Sequence, residues 1–110
     1  MSKPVRLDAE AEAELASAHS RYEESVVGLG EELAEAIGAL LVRVSDRPGS
    51  FPLAPSVPRN LGIRRALLGR FPFAIVFVEL ADEVRVLAIA HQRRRPGYWR
   101  RRLRAGRTTH

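Results

Sequence analysis

The spacing of apolar residues changes period once, near the middle of the chain. From Ala11 they recur at steps of four, three, four and four, as Ala11, Leu15, Ala18, Tyr22 and Val26. That is one face of an amphipathic helix. Asp8 precedes it as an N-cap, and Glu10 and Glu12 suit the positive end of the helix dipole. The run Gly28-Leu29-Gly30 interrupts the pattern. A second helix follows, with Leu29, Leu33, Ile37, Leu40, Leu41 and Val44 on one face and Glu31, Glu32 and Glu35 pointing elsewhere. The carboxylates of both helices read as solvated outer faces. Ahead of the first helix, "PVRL" at 4–7 predicts a short strand.

Residues 45–60, "SDRPGSFPLAPSVPRN", hold four of the seven prolines. Proline fixes φ and lacks a backbone donor, so this stretch is neither regular helix nor central strand. It reads as a connector pinned to the core by Phe51 and Leu53. Beyond it the period shortens to two. "LGIRRALL" (61–68), "FPFAIVFVEL" (71–80) and "VRVLAIAH" (84–91) predict three strands, the last two joined by a tight turn at 81–83. The middle strand is apolar on both faces, as an inner strand covered from both sides is. In the last, Val84, Val86, Ala88 and Ala90 are expected to face one way, and Arg85, Leu87, Ile89 and His91 the other. Residues 96–104 add a short helix opened by Pro96 at its first position. The predicted class is α+β: an N-terminal short strand and a two-helix hairpin packed on a twisted antiparallel sheet, in the order β-α-α-β-β-β, with a short C-terminal helix or tail. Two helices cover one sheet face. The other is then expected to expose a large apolar patch, which normally marks a partner site.

Composition narrows the class. A chain of 110 residues suits one domain, residues 1–110, with one core. Its longest apolar run, Phe71 to Leu80, is interrupted by Pro72 and Glu79 and is too short to span a bilayer. The N-terminal residues lack the apolar core of a secretory signal, and there is no cysteine for a disulfide or thiolate site. A cytoplasmic location, without membrane contact, is the expectation. The net charge of +5 hides an asymmetry: residues 1–55 sum to −5 and residues 56–110 to +10. A cationic half suggests an anionic partner.

The densest chemistry lies at 90–102, "AHQRRRPGYWRRR", with one histidine, six arginines and an aromatic pair. His91 is a candidate base, and Arg93 and Arg94 could clamp a phosphate. Arginines around Tyr98 and Trp99 could also bind single-stranded nucleic acid by charge and stacking, though such sites use several spaced aromatics. No metal or cofactor site is expected. His19 and Glu23 have helical i, i+4 spacing without further ligands, His110 stands apart at the end of the sequence, and "GLGEELAEAIG" lacks the lysine and strand context of a phosphate loop.

The segments "AEAELASAHSRYEE", "GLGEELAEAIGALLVRVSDRPGSFP", "IRRALLGRFPFAIVFVE" and "VRVLAIAHQRRRPGYWRRR" occur in an order that resembles the RelE/ParE toxin superfamily, over roughly residues 5–102. The likeness is closest to the ParE-like branch, the toxins of type II toxin–antitoxin modules of plasmid-stabilisation type. It implies a helical hairpin on a twisted antiparallel sheet. It also implies growth inhibition and a cognate antitoxin whose C-terminal part folds along the toxin by sheet-edge addition and helix-in-groove docking. Operator DNA would be met only through the antitoxin. ParE-type relatives poison DNA gyrase, whereas RelE-type relatives cleave mRNA on the ribosome. The RelE-type catalytic set is largely missing here. Its central-strand arginine falls at Ala74, its lysine pair near Arg65 and Leu67, its strand-terminal arginine at Arg93 and its tyrosine at Trp99. The resemblance therefore implies a gyrase inhibitor without a catalytic set, with Arg93, Arg94, Arg95, Tyr98, Trp99 and Arg100 as the target or antitoxin contact surface. The alternative is a ribosome-dependent endoribonuclease using His91, Arg93, Arg94 and Arg65. A stand-alone nucleic-acid-binding module is a third reading.

Overall fold

Helix α1 (Ala9–Ser25) and helix α2 (Leu29–Asp46) form the expected hairpin, preceded by strand β1 (Val5–Leu7). The computed structural model describes residues 2–103. Ala11 and Ala18 of α1 and Leu33, Ile37, Leu40 and Val44 of α2 are buried between the helices and the sheet. Val26 departs from the expected stripe. It follows the last turn in an extended conformation and is 57% exposed. The helices cross so closely at Gly30 that a Cβ there would lie 2.6 Å from the His19 carbonyl oxygen. Glu23 locks this crossing, for its carboxylate accepts the Gly28 and Gly30 N–H groups at 2.8 and 3.0 Å. These are donors that the first turn of α2 cannot satisfy itself.

The proline-rich connector returns the chain to strand β2 (Ile63–Leu67), followed by β3 (Phe73–Glu79) and β4 (Val84–His91). The sheet order is β1-β4-β3-β2. The last three strands form the antiparallel meander, and β1 adds to β4 in parallel, Val5 opposite Val84. Phe51 packs edge-on to Phe77, with ring centroids 5.8 Å apart. Leu53 bridges Arg64, while the Pro52 carbonyl accepts from the Arg65 N–H and the Ala54 N–H donates to the Ile63 carbonyl.

The expected alternation along β4 is corrected by a β-bulge. Phe77 pairs with Val86 and Val76 with Ala88, so Leu87 is an extra residue. An extra residue reverses the phase of every side chain after it. Val84, Val86 and Ile89 therefore join the helix-side core, and Leu87, Ala88 and Ala90 enter a second cluster on the opposite face. The exposed patch expected on that face is also corrected. Ala54 and Trp99 are buried there against Ile63, Val76 and Leu87, with Val57, Tyr98 and Leu103 packed beside them. The chain covers much of the second face itself. Among the described residues, no helix is long and apolar enough to cross a membrane.

Candidate functional site

Strand β4 ends at His91, and the chain reverses at once. The Arg94 N–H donates to the His91 carbonyl and the Arg93 N–H to His91 Nδ1, each at 3.0 Å. Gly97 then adopts φ of 80°, a conformation open to glycine. It starts a 3-10 turn at Tyr98–Arg100 that leads into helical residues to Leu103. The terminal helix thus begins after Gly97, not at Pro96. Its expected last residue, Arg104, lies outside the described residues, as does His110.

This reversal gives neighbouring side chains different places, one in the second core and one at the edge of the sheet beside it. Trp99 enters the second core and is 4% exposed. The indole is a lid on the protein's own sheet. Tyr98 points toward α1, where its hydroxyl donates to Glu14 Oε2 at 2.5 Å and Arg94 stacks on its ring at 3.8 Å from the centroid. Burial, and then the hydrogen bond to the Glu14 carboxylate, push the phenol well above its ordinary pKa. Tyr98 therefore keeps its proton as a hydrogen-bond donor to Glu14 and is unsuited to serve as a base.

Glu14 and Arg102 explain how the segment is held. Strand β1 pairs with β4 only as far as Val86, so the later backbone groups on that edge need other partners. Glu14 Oε1 accepts the Ile89 N–H at 3.0 Å, and Arg102 Nη1 donates to the Leu87 carbonyl at 2.9 Å. The two side chains also pair with each other at 2.9 and 3.0 Å. The Arg102 carbonyl in turn accepts from Arg85 Nη2 at 2.6 Å. Arg85 is fork-bonded to Asp8 at 2.9 and 2.8 Å, and both residues are buried. Asp8 stands at the expected N-cap position, but its side chain makes no cap bond and serves this ion pair instead.

Three of the four residues of the nuclease alternative, Arg65, His91 and Arg94, line one cavity of about 180 Å³ floored by Ala74, Val76 and Trp99. Arg93 is not among its lining residues; it meets His91 and Arg94 instead in a second groove on the α1 side, beside Glu14 and Arg21. His91 packs edge-on to Phe73 at 5.1 Å. With Nδ1 accepting from Arg93, a neutral His91 ring carries its proton on Nε2 and has no lone pair free for a substrate hydroxyl. Arg93, Arg95, Arg100 and Arg101 are exposed and have no ion-pair partner among the described residues. The same residues contain no group of three or more His, Cys, Asp or Glu able to hold a metal.

Sequence reasoning missed Glu14, Arg102 and the Asp8–Arg85 pair. Glu14 did leave a signal. It lies three residues after Ala11 and four before Ala18, on the buried stripe of α1, where a carboxylate needs a partner.

No protein-family model matches the chain, and no curated protein matches it. Among solved structures, a chain of the chromosomal ParDE TA system from P. aeruginosa is similar, with a TM-score of 0.60 and 21% sequence identity. The match covers 82% of this chain and 96% of that one. The chain shares the fold of that chain.

Proposed function

We propose that this chain is the toxin of a type II toxin–antitoxin module, neutralised by a cognate antitoxin and acting on DNA gyrase. The observation that carries the toxin reading is the shared fold, which extends over nearly the whole of a chain from a ParDE system. A gyrase target is supported by the state of the cationic cavity. Ala74 contributes a methyl group where a nuclease relative would place a central-strand arginine. Tyr98 is tied to Glu14, and Trp99 is buried. Phosphoryl transfer from a ribose hydroxyl needs a base, an acid and charge stabilisation at one point. The exposed arginines of residues 93–101 supply charge alone. The test is DNA supercoiling by gyrase with the purified chain added in excess. Inhibition, relieved by the antitoxin encoded beside the toxin, is the expected result. Full activity at large excess rules the reading out.

The ribonuclease alternative is favoured by one observation, the shared cavity of Arg65, His91 and Arg94. It requires the His91 ring to leave the Arg93 N–H. Primer extension on translated mRNA then shows cuts that a His91→Ala variant abolishes.

A further inference from the structure

The cavity under residues 92–97 has a composition that the toxin reading leaves unused. Its cations are Arg65, Arg94 and Arg95, and no Asp or Glu lines it. None of the three arginines has an ion-pair partner among the described residues. Arg65 is half-buried, two residues after Ile63 on β2, so it shares the face of the second core. Arg94 is held over the Tyr98 ring, which leaves Arg65 and Arg95 to close on a ligand. His91 also lines the cavity, and with Nδ1 engaged by Arg93 its neutral ring presents an N–H at Nε2. The floor is apolar. Ala74, Val76 and Trp99 form it, and Leu67 beside them is 53% exposed. Uncompensated positive charge thus borders an apolar hollow.

We propose that this cavity binds a small amphiphilic acid, with a short apolar body on Val76 and Trp99 and a carboxylate held by Arg65 and Arg95. Size limits the body. At about 180 Å³ the cavity is smaller than the roughly 300–1,000 Å³ that enclose a drug-sized ligand, so it takes a group of a few carbons. The floor selects the head. Phosphate bears oxygens on every side, and those turned to the floor lose water without gaining a donor. A carboxylate confines its charge to one end and meets an arginine fork in its own plane. Such an acid occurs free or as the apolar C-terminal residue of a chain, and both present these two features. A carboxylate shared by Arg65 and Arg95 ties the segment after β4 to β2, so occupancy stabilises the chain by mass action. The site goes beyond the toxin reading and requires neither gyrase nor an antitoxin.

Trp99 is the sole tryptophan and lines the cavity, so its fluorescence reports binding. The experiment titrates the full chain with isovalerate at constant ionic strength, with chloride as the blank. A saturable change is expected. Isoamyl alcohol, the same body without the charge, and inorganic phosphate, charge without the body, should each bind at least about tenfold more weakly, the scale of one lost charge-assisted hydrogen bond. Arg65→Met and Arg95→Met should weaken isovalerate by a similar factor and abolish its rise in melting temperature. Arg47→Met, exposed at the end of α2, should change neither. Arg95 is exposed, so its variant keeps the test sound even where Arg65→Met fails to fold. A tripeptide ending in leucine, with its C-terminus free or amidated, separates the sources. Binding of the free-ended peptide alongside isovalerate names a chain end as the ligand, and binding of isovalerate alone names a free acid. No saturable change with isovalerate or the free-ended peptide overturns the proposal. So does phosphate binding as tightly as isovalerate, which marks a site for charge alone. Folded arginine variants that bind within about twofold of the unaltered chain overturn it as well. The supercoiling test of the toxin reading is decided separately.

Discussion

Trp99 packs within the second core at 4% exposure, while Arg93 and Arg95, a few residues away, stay in water. The reversal at Gly97 makes this division. It lets one short segment fasten itself to the sheet and still display charge. Substitutions should separate the two roles. Trp99→Ala removes a large side chain from a packed face and should cost about 3–5 kcal/mol. Arg93→Ala with Arg95→Ala should shift stability by no more than about 0.5 kcal/mol. Chemical denaturation measures both, and growth inhibition on expression is the second readout. The arginine pair should lower toxicity with the fold intact. A folded pair variant of full toxicity removes these arginines from the effector surface.

At the scale of elements, the hairpin depends on a carboxylate in its first helix. Glu23 accepts two N–H groups at the start of α2, and the hydrogen bond from Gly28 holds its pKa below the ordinary value of 4.5. A folded-state pKa that is depressed contributes stability above the unfolded value and loses it as pH falls through the folded one. Glu23→Gln should therefore melt at a lower temperature than the unaltered chain near neutral pH. The gap should narrow on acidification below about pH 4.5, where the protonated carboxyl resembles the amide. A gap independent of pH means that the carboxylate's charge plays no part in the lock. The helices and strands themselves were legible, because their periods of 3.6 and 2 are set by core-facing side chains such as Leu33, Ile37 and Val86. What was hidden depends on partners distant in sequence. The bulge at Leu87 exists only relative to Val76 and Phe77 on the next strand. The roles of Glu14 and Asp8 require Arg102 and Arg85, each more than seventy residues away. An N-cap and a buried ion-pair partner look alike in sequence when both are an aspartate before a helix.

Across the whole molecule, acids of the first half pair with arginines of the second at three points among the described residues: Asp8–Arg85, which is buried, Glu14–Arg102, which is half-buried, and Glu32–Arg70, which is exposed. Asp8 with Arg85 and Glu14 with Arg102 join β1 and α1 to β4 and the C-terminal segment. Other basic groups of the second half remain available for partners. Arg85 is the central tie, since it holds Asp8 through two hydrogen bonds and the Arg102 carbonyl through a third. Removing it leaves a buried carboxylate whose remaining cationic neighbour is Arg6 at 3.6 Å. Arg85→Ala should lose about 3–5 kcal/mol, the usual cost of breaking a buried pair on one side. Replacing Asp8 and Arg85 together by alanine should cost less than the sum of the single changes, because neither charge is then stranded. The sole tryptophan gives an independent readout, as Trp99 lies in the segment that Arg85 anchors. In the folded Arg85→Ala variant its fluorescence should shift to the red and become easier to quench with iodide. An unchanged spectrum with lowered stability places the energy in the Asp8 pair alone and assigns the anchoring of the C-terminal segment to Glu14 and Arg102.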